Sequence, residues 1–328
     1  MTMEATVLKS LSLFTALLIG GSLSAQKAVQ VDPKLPSYKK VSGVSGTLNS
    51  VGSDSLNNLM TYWVESFQDK YPGVKIQVEG KGSGTAPPAL ISGTSQLGPM
   101  SREMKAEEID QFEKKYGYKP TRVAVAIDTL GVFVHKANKI KSLSTKDLDG
   151  IFSKTRKSGA AEVKTWGDLG LKGEFAAKPL SLYGRNSASG TYGYFKEHAL
   201  QKGDFKDTVK EQPGSSSVVQ SVGTDKFAIG YSGIGYKTSE VRAVPLSNPA
   251  ANGGQAFEAS YENALNGKYP LARSLYVYFN ANPKGGVSPL VKEFLTYVLS
   301  KEGQTIVVKD GYYPLPKKLA DEMVKILK

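Results

Sequence analysis

The stretch Gly184-Arg185-Asn186-Ser187-Ala188-Ser189-Gly190-Thr191-Tyr192-Gly193 holds residue types that bind an oxyanion without reacting with it. It follows a short apolar strand pattern at 179–183 and leads into a helix pattern at 194–200. Small residues at such a junction let backbone N–H groups converge at a helix N-terminus, where unpaired donors and partial positive charge suit an anion. Arg185 adds a planar fork of donors, and Ser187, Ser189 and Thr191 add hydroxyls without charge. A plainer reading, a Ser/Gly helix cap beside a surface arginine, accounts for the loop taken alone.

The same order of strand, small polar loop and helix recurs upstream. Gly52-Ser53-Asp54-Ser55 lies between the strand pattern at 44–51 and a helix with Leu56, Leu59, Met60, Trp63 and Phe67 on one face. Asp54 in that position is read first as a helix cap. Gly82-Ser83-Gly84-Thr85 follows the alternating strand pattern Val74-Lys75-Ile76-Gln77-Val78, and Ser101-Arg102 opens a charged helix at 103–116. Alternating strands and helices predict α/β units with loops gathered at the carboxyl ends of the strands. Within the apolar run 121–136 stands one carboxylate, Asp128, which must face a cleft, meet partners or turn the chain. The run 275–279 is a second long strand pattern, suited to carry the chain back to its first half.

Length and composition bound these readings. A chain of 328 residues predicts two lobes, and the net charge of +12 favours anionic partners. The lysines are scattered among acids, as in Glu113-Lys114-Lys115, which is unlike a nucleic-acid stripe. With no cysteine and only His135 and His198, disulfides, thiolate chemistry and a metal centre are not expected, nor is a cofactor. Lys9, the short apolar segment 11–19 and the small residues through Ala25 read as a signal peptide over 1–25, followed by an arm at 26–41. Export without membrane insertion follows. A secreted phosphatase could use the same anion cradle, but no metal cluster or Ser-His-Asp order supports one. An extracellular adhesion or appendage protein would suit the basic surface, yet no repeat or sorting motif points to it.

Five strings, Gly52-Ser53-Asp54-Ser55, Gly82-Ser83-Gly84-Thr85-Ala86-Pro87-Pro88, Gly98-Pro99-Met100-Ser101-Arg102, the 184–191 loop and Asp310-Gly311-Tyr312-Tyr313-Pro314-Leu315, resemble the periplasmic phosphate-binding proteins of Pst-type ABC transporters. The resemblance covers nearly the whole chain after the leader. It implies a type II periplasmic-binding-protein fold: two α/β lobes joined by two crossing strands, with phosphate in the cleft. On this pattern lobe 1 comprises 42–130 and 274–328, and lobe 2 comprises 131–273. The resemblance implies ligands Arg185, Ser189, Gly190 and Thr191, with Ser187 beside them, from the second lobe. It implies Ser53, Asp54, Ser83, Gly84, Thr85, Ser101 and Arg102 from the first. Some relatives carry Asp where this chain has Arg102, so the carboxylate facing phosphate is assigned to Asp128 first and Asp54 second. Such a carboxylate would accept the proton of phosphate and repel sulfate. The implied role is periplasmic phosphate capture, without catalysis, by a monomer that serves the membrane components of a phosphate ABC transporter.

Overall fold

The computed structural model describes residues 28–328. The expected signal peptide and the first two residues of the arm lie outside the described residues.

Two strands and the helix between them begin the first lobe. Gly46–Val51 pairs in parallel with Val74–Glu79, and helix Asn57–Lys70 connects them. That helix buries Leu59, Met60, Trp63, Val64 and Phe67, the face expected from the apolar spacing. Helix Ala86–Ser92, strand Gly98–Met100 and helix Ala106–Tyr116 follow. The charged helix therefore starts at Ala106, three residues later than the sequence suggests.

Strand Thr121–His135 organises the whole molecule. Residues 123–134 are buried without interruption, as a strand covered on both faces must be, which explains why its sequence does not alternate. Its first part pairs antiparallel with Ala272–Phe279, which also pairs with Gly98–Met100. Its second part pairs with Ala228–Gly233 and Val241–Ala243. A register shift between Leu275 and Tyr276 marks an irregularity in the first ladder. One strand thus belongs to both lobes, and the return strand Ala272–Phe279 begins beside the crossing point.

Buried apolar side chains divide at that crossing. One core draws on residues 35–127 and 275–327, including Trp63, Phe67, Phe294 and Tyr312. Another draws on residues 130–271, including Phe152, Trp166, Phe195 and Tyr231. The arm is a strap on the first lobe: Lys301 N–H donates to Pro36 O (2.9 Å) and Lys317 N–H to Asp32 Oδ2 (3.0 Å). Helices Pro289–Val298, Lys301–Lys309 and Lys317–Ile326 close that lobe; Gly303 and the β-branched residues of the middle one make its helix pattern weak in the sequence.

Candidate functional site

Three first-lobe loops bring their serines together. Ser53 precedes the short turn Asp54–Leu56, Ser83 opens the turn Ser83–Thr85, and Ser101 follows strand Gly98–Met100. Ser53 Oγ lies 3.1 Å from Ser101 Oγ, and Ser83 Oγ lies 3.2 Å from it. Ser83 Oγ also accepts from Ser101 N–H at 3.0 Å, and all three residues are buried. The Ser83 loop needs a positive φ of 117° at Gly82, where a Cβ would also crowd the carbonyl of Ala188.

The second lobe meets this cluster with the N-terminus of helix Gly190–His198. Ser189 caps it, its hydroxyl accepting from Thr191 N–H (3.1 Å) and Tyr192 N–H (3.3 Å). Gly190 sits directly against the serines: a Cβ there would overlap Ser83 Oγ and come 2.7 Å from Ser101 Oγ. The lobes also touch where Gly84 N–H donates to Ala188 O (2.9 Å) and Ser55 Oγ lies 2.9 Å from Thr191 Oγ1. The structure is a closed one, with a helix N-terminus, three hydroxyls and Gly190 at one point.

Two arginine–aspartate pairs flank that point. Arg185 is 1% exposed and reaches Asp54 Oδ2 (2.9 Å), Ser215 Oγ (2.7 Å) and Pro213 O (3.2 Å), while its Nε has no partner. Arg273 Nε donates to Asp128 Oδ2 (2.9 Å) and its other nitrogens reach Ser101 O (2.8 Å) and Thr191 Oγ1 (3.0 Å). The Arg273 guanidinium lies 5.3 Å from the Tyr194 ring centre, and burial pushes the Tyr194 hydroxyl up to about 12. Each arginine is matched by one carboxylate, so the formal charges of the pairs cancel. An anion between them would be held by oriented dipoles and hydroxyls more than by net charge.

Ser53, Ser83, Ser101, Ser189, Gly190 and Thr191 are brought together, Arg185 joins them through Asp54, and the other candidates have different partners. Asp128 is fully buried, with Oδ1 accepting from Ile234 N–H (3.0 Å) and Oδ2 from Arg273. Asp128, the first choice for the proton acceptor, therefore has protein donors on both oxygens, as a carboxylate deep in the hinge requires. Arg102 forks onto Glu108 (2.8 and 2.7 Å) and lines a groove of about 1100 Å³ beside the serine cluster, as does exposed Ser187. Thr85 Oγ1 is used by its own turn, donating to Gly82 O (2.8 Å), and Gly84 N–H by Ala188. Asp54 does not cap the helix that follows it; its carboxylate crosses to the second lobe, accepting from Ser215 N–H and Oγ, both at 2.8 Å.

Sequence reading missed Arg273, Ser55 and Ser215. The signal for Arg273 was present: an arginine entering a buried strand needs a carboxylate, and Asp128 was the unpaired one. Their register, Arg273 opposite Asp128, emerges only from strand pairing. Among the described residues no group of three or more His, Cys, Asp or Glu could hold a metal ion. No helix among them is long and apolar enough to cross a membrane.

Comparison with known proteins agrees with this architecture. Residues 39–302 match the family model described as a PBP superfamily domain. The phosphate-binding protein PstS of Pseudomonas aeruginosa is 57% identical over 322 residues, covering 98% of this chain and 99% of that protein. PstS of Bacillus subtilis is 28% identical, covering 83% and 81%. Among solved structures, a candidate phosphate ABC transporter substrate-binding protein from Clostridium perfringens with bound phosphate is 26% identical with a TM-score of 0.68, covering 83% of this chain and 100% of that one. An ABC-type phosphate transport receptor from Vibrio cholerae, 20% identical with a TM-score of 0.63, shares the fold; it covers 82% of this chain and 100% of that one. Two α/β lobes joined by crossing strands, with this degree of identity along the whole chain, show that the protein belongs to the PBP superfamily and, within it, to the PstS family of phosphate-binding proteins.

Proposed function

We propose that the chain captures inorganic phosphate between its lobes and delivers it to the membrane components of a phosphate ABC transporter. The observation that carries this reading is the meeting of Ser53, Ser83 and Ser101 with the N-terminus of helix Gly190–His198, together with the buried, unpartnered Nε of Arg185, whose guanidinium is bonded to Asp54, the neighbour of Ser53. In this reading the three hydroxyls, the Gly190 amide and Arg185 Nε donate to the phosphate oxygens, while the Thr191 amide is held by the Ser189 cap. A desolvated oxyanion needs such a donor for nearly every lone pair. The set offers donors and no activated nucleophile, which suits binding without chemistry. The apolar segment ahead of the described residues supports export to the periplasm, where the protein would work as a monomer, its moving bodies being 42–130 with 274–328 against 131–273.

Titration calorimetry tests this directly. Phosphate should bind tightly, and Arg185→Ala should weaken it on the order of a hundredfold or more, because truncating one partner of a buried charged contact costs about 2–5 kcal/mol. Absence of phosphate binding by the wild-type chain at millimolar ligand would overturn the reading.

A further inference from the structure

Asp54 belongs to the first lobe, yet nearly everything it touches belongs to the second. Its Oδ2 accepts from Ser215 N–H (2.8 Å), Ser215 Oγ (2.8 Å) and Arg185 (2.9 Å), and its backbone carbonyl accepts from Tyr236 Oη (2.9 Å). Three donors on one carboxylate oxygen, two of them at the start of helix Ser215–Thr224, form a charge-assisted cage. The donors and the acceptor separate when the lobes part. Gly214 stands against this carboxylate, a Cβ there lying 3.3 Å from Asp54 Oδ1, so the fit is close on that side as well.

We propose that Asp54 is a closure latch: it sets the stability of the closed state and positions Arg185, and it does not accept the proton of phosphate. The geometry separates these two roles. A ligand acceptor would keep its oxygens for the ligand, whereas Oδ2 of Asp54 is used by groups that reach it only in the closed form. The latch also couples closure to ligand geometry. Arg185 Nη1 is shared between Asp54 and Ser215 and Nη2 donates to Pro213 O, which fixes the guanidinium plane and leaves Nε as the nitrogen without a partner. Closing the lobes therefore adds a charged partner to an arginine that Ser215 Oγ and Pro213 O already hold within the second lobe, and opening them removes it.

The proposal rests on the phosphate reading for its kinetic consequence but not for its structural one. Two variants test it. Asp54→Asn removes the charge while keeping the side-chain shape. Ser215→Pro removes both Ser215 donors at the first residue of its helix, where proline is accommodated, after a residue already extended (φ −135°, ψ 163°). Stopped-flow measurement should show phosphate dissociation faster by about tenfold in each, with association changed less than about twofold, which is the pattern of a contact formed after encounter. The double variant should be faster than either single one by less than the product of their effects, because the two share the Asp54–Ser215 contacts while the Arg185–Asp54 pair is lost only with the aspartate charge. Preference for phosphate over sulfate should be unchanged. If Asp54→Asn erodes that preference while Ser215→Pro leaves dissociation untouched, Asp54 is a ligand acceptor and the latch is overturned.

A second readout needs no ligand. The chain has no cysteine, so spin labels at Glu107→Cys and Lys202→Cys, exposed positions that line the groove from opposite lobes, report lobe separation alone. Both latch variants should shift the ligand-free distance distribution toward longer values. An unshifted distribution overturns the latch even if phosphate binding holds, and a shifted one upholds it even if the ligand is another anion.

Discussion

Arg185–Asp54 and Arg273–Asp128 are chemically the same pair in two mechanical settings. Asp128 and Arg273 face each other across adjacent strands at the crossing point, fully within the hinge. Asp54 opens a short turn of the first lobe, Arg185 ends strand Ser181–Arg185 of the second, and the two meet across the closed cleft. The hinge pair satisfies a permanent structural need, because a buried charge without a partner is strongly destabilising. The cross-lobe pair serves a state that must form and dissolve. Exposure follows this difference: the Asp128 side chain is 0% exposed and that of Asp54 21%.

The contrast can be broken at three places. The largest effect should follow Asp128→Ala, which leaves Arg273 buried without its carboxylate; a loss of about 3–5 kcal/mol in urea unfolding is expected. A loss near zero would mean that water reaches the hinge and the pair is not structural. Next is Gly190→Ala. Its methyl group would overlap Ser83 Oγ, so closure is obstructed while neither arginine pair is touched within its own lobe. Phosphate affinity should fall at least tenfold, about 1.4 kcal/mol, with the thermal midpoint nearly unchanged. Equal losses in affinity and midpoint would show that Gly190 supports folding more than closure.

The smallest effect concerns a carboxylate in neither pair. Asp310, which precedes the aromatic segment that sends Tyr312 Oη to Ser55 O (2.8 Å), is pushed up to about 7 by burial. The folded protein thus keeps a proton that the unfolded chain releases above its ordinary value of 3.8. The sign is opposite to that of a salt-bridged acid: this stabilisation is full below the unfolded value and is lost as pH rises through the folded one. Between about pH 5 and pH 8 the wild-type melting temperature should fall more than that of Asp310→Asn. Parallel pH profiles would place Asp310 in contact with water in the folded state.

Much of the site was legible because loops advertise themselves. Ser53, Ser83, Ser101 and the 184–191 loop each combine small residues with a strand-to-helix junction, a local pattern with a local cause. The arginine partners were not legible in this way. Arg102 has the residue type of a ligand, but Glu108 one helical turn into the following segment captures it through a bidentate bond. Thr85 likewise has the right hydroxyl, yet its turn uses it. In both cases a nearby acceptor takes the donor within the protein, and side-chain type alone does not reveal that partner.

By itself the sequence determined the alternation of strands and helices, the buried crossing strand around Asp128, and the anion-suited chemistry of four loops. Those features rest on periodicity and on residues close together in the chain. Tertiary structure decided which carboxylate meets which arginine, because strand register places Arg273 opposite Asp128 and lobe closure places Asp54 against Arg185 and Ser215. These contacts join residues more than a hundred positions apart, and only packing sets the distances on which their electrostatics depend.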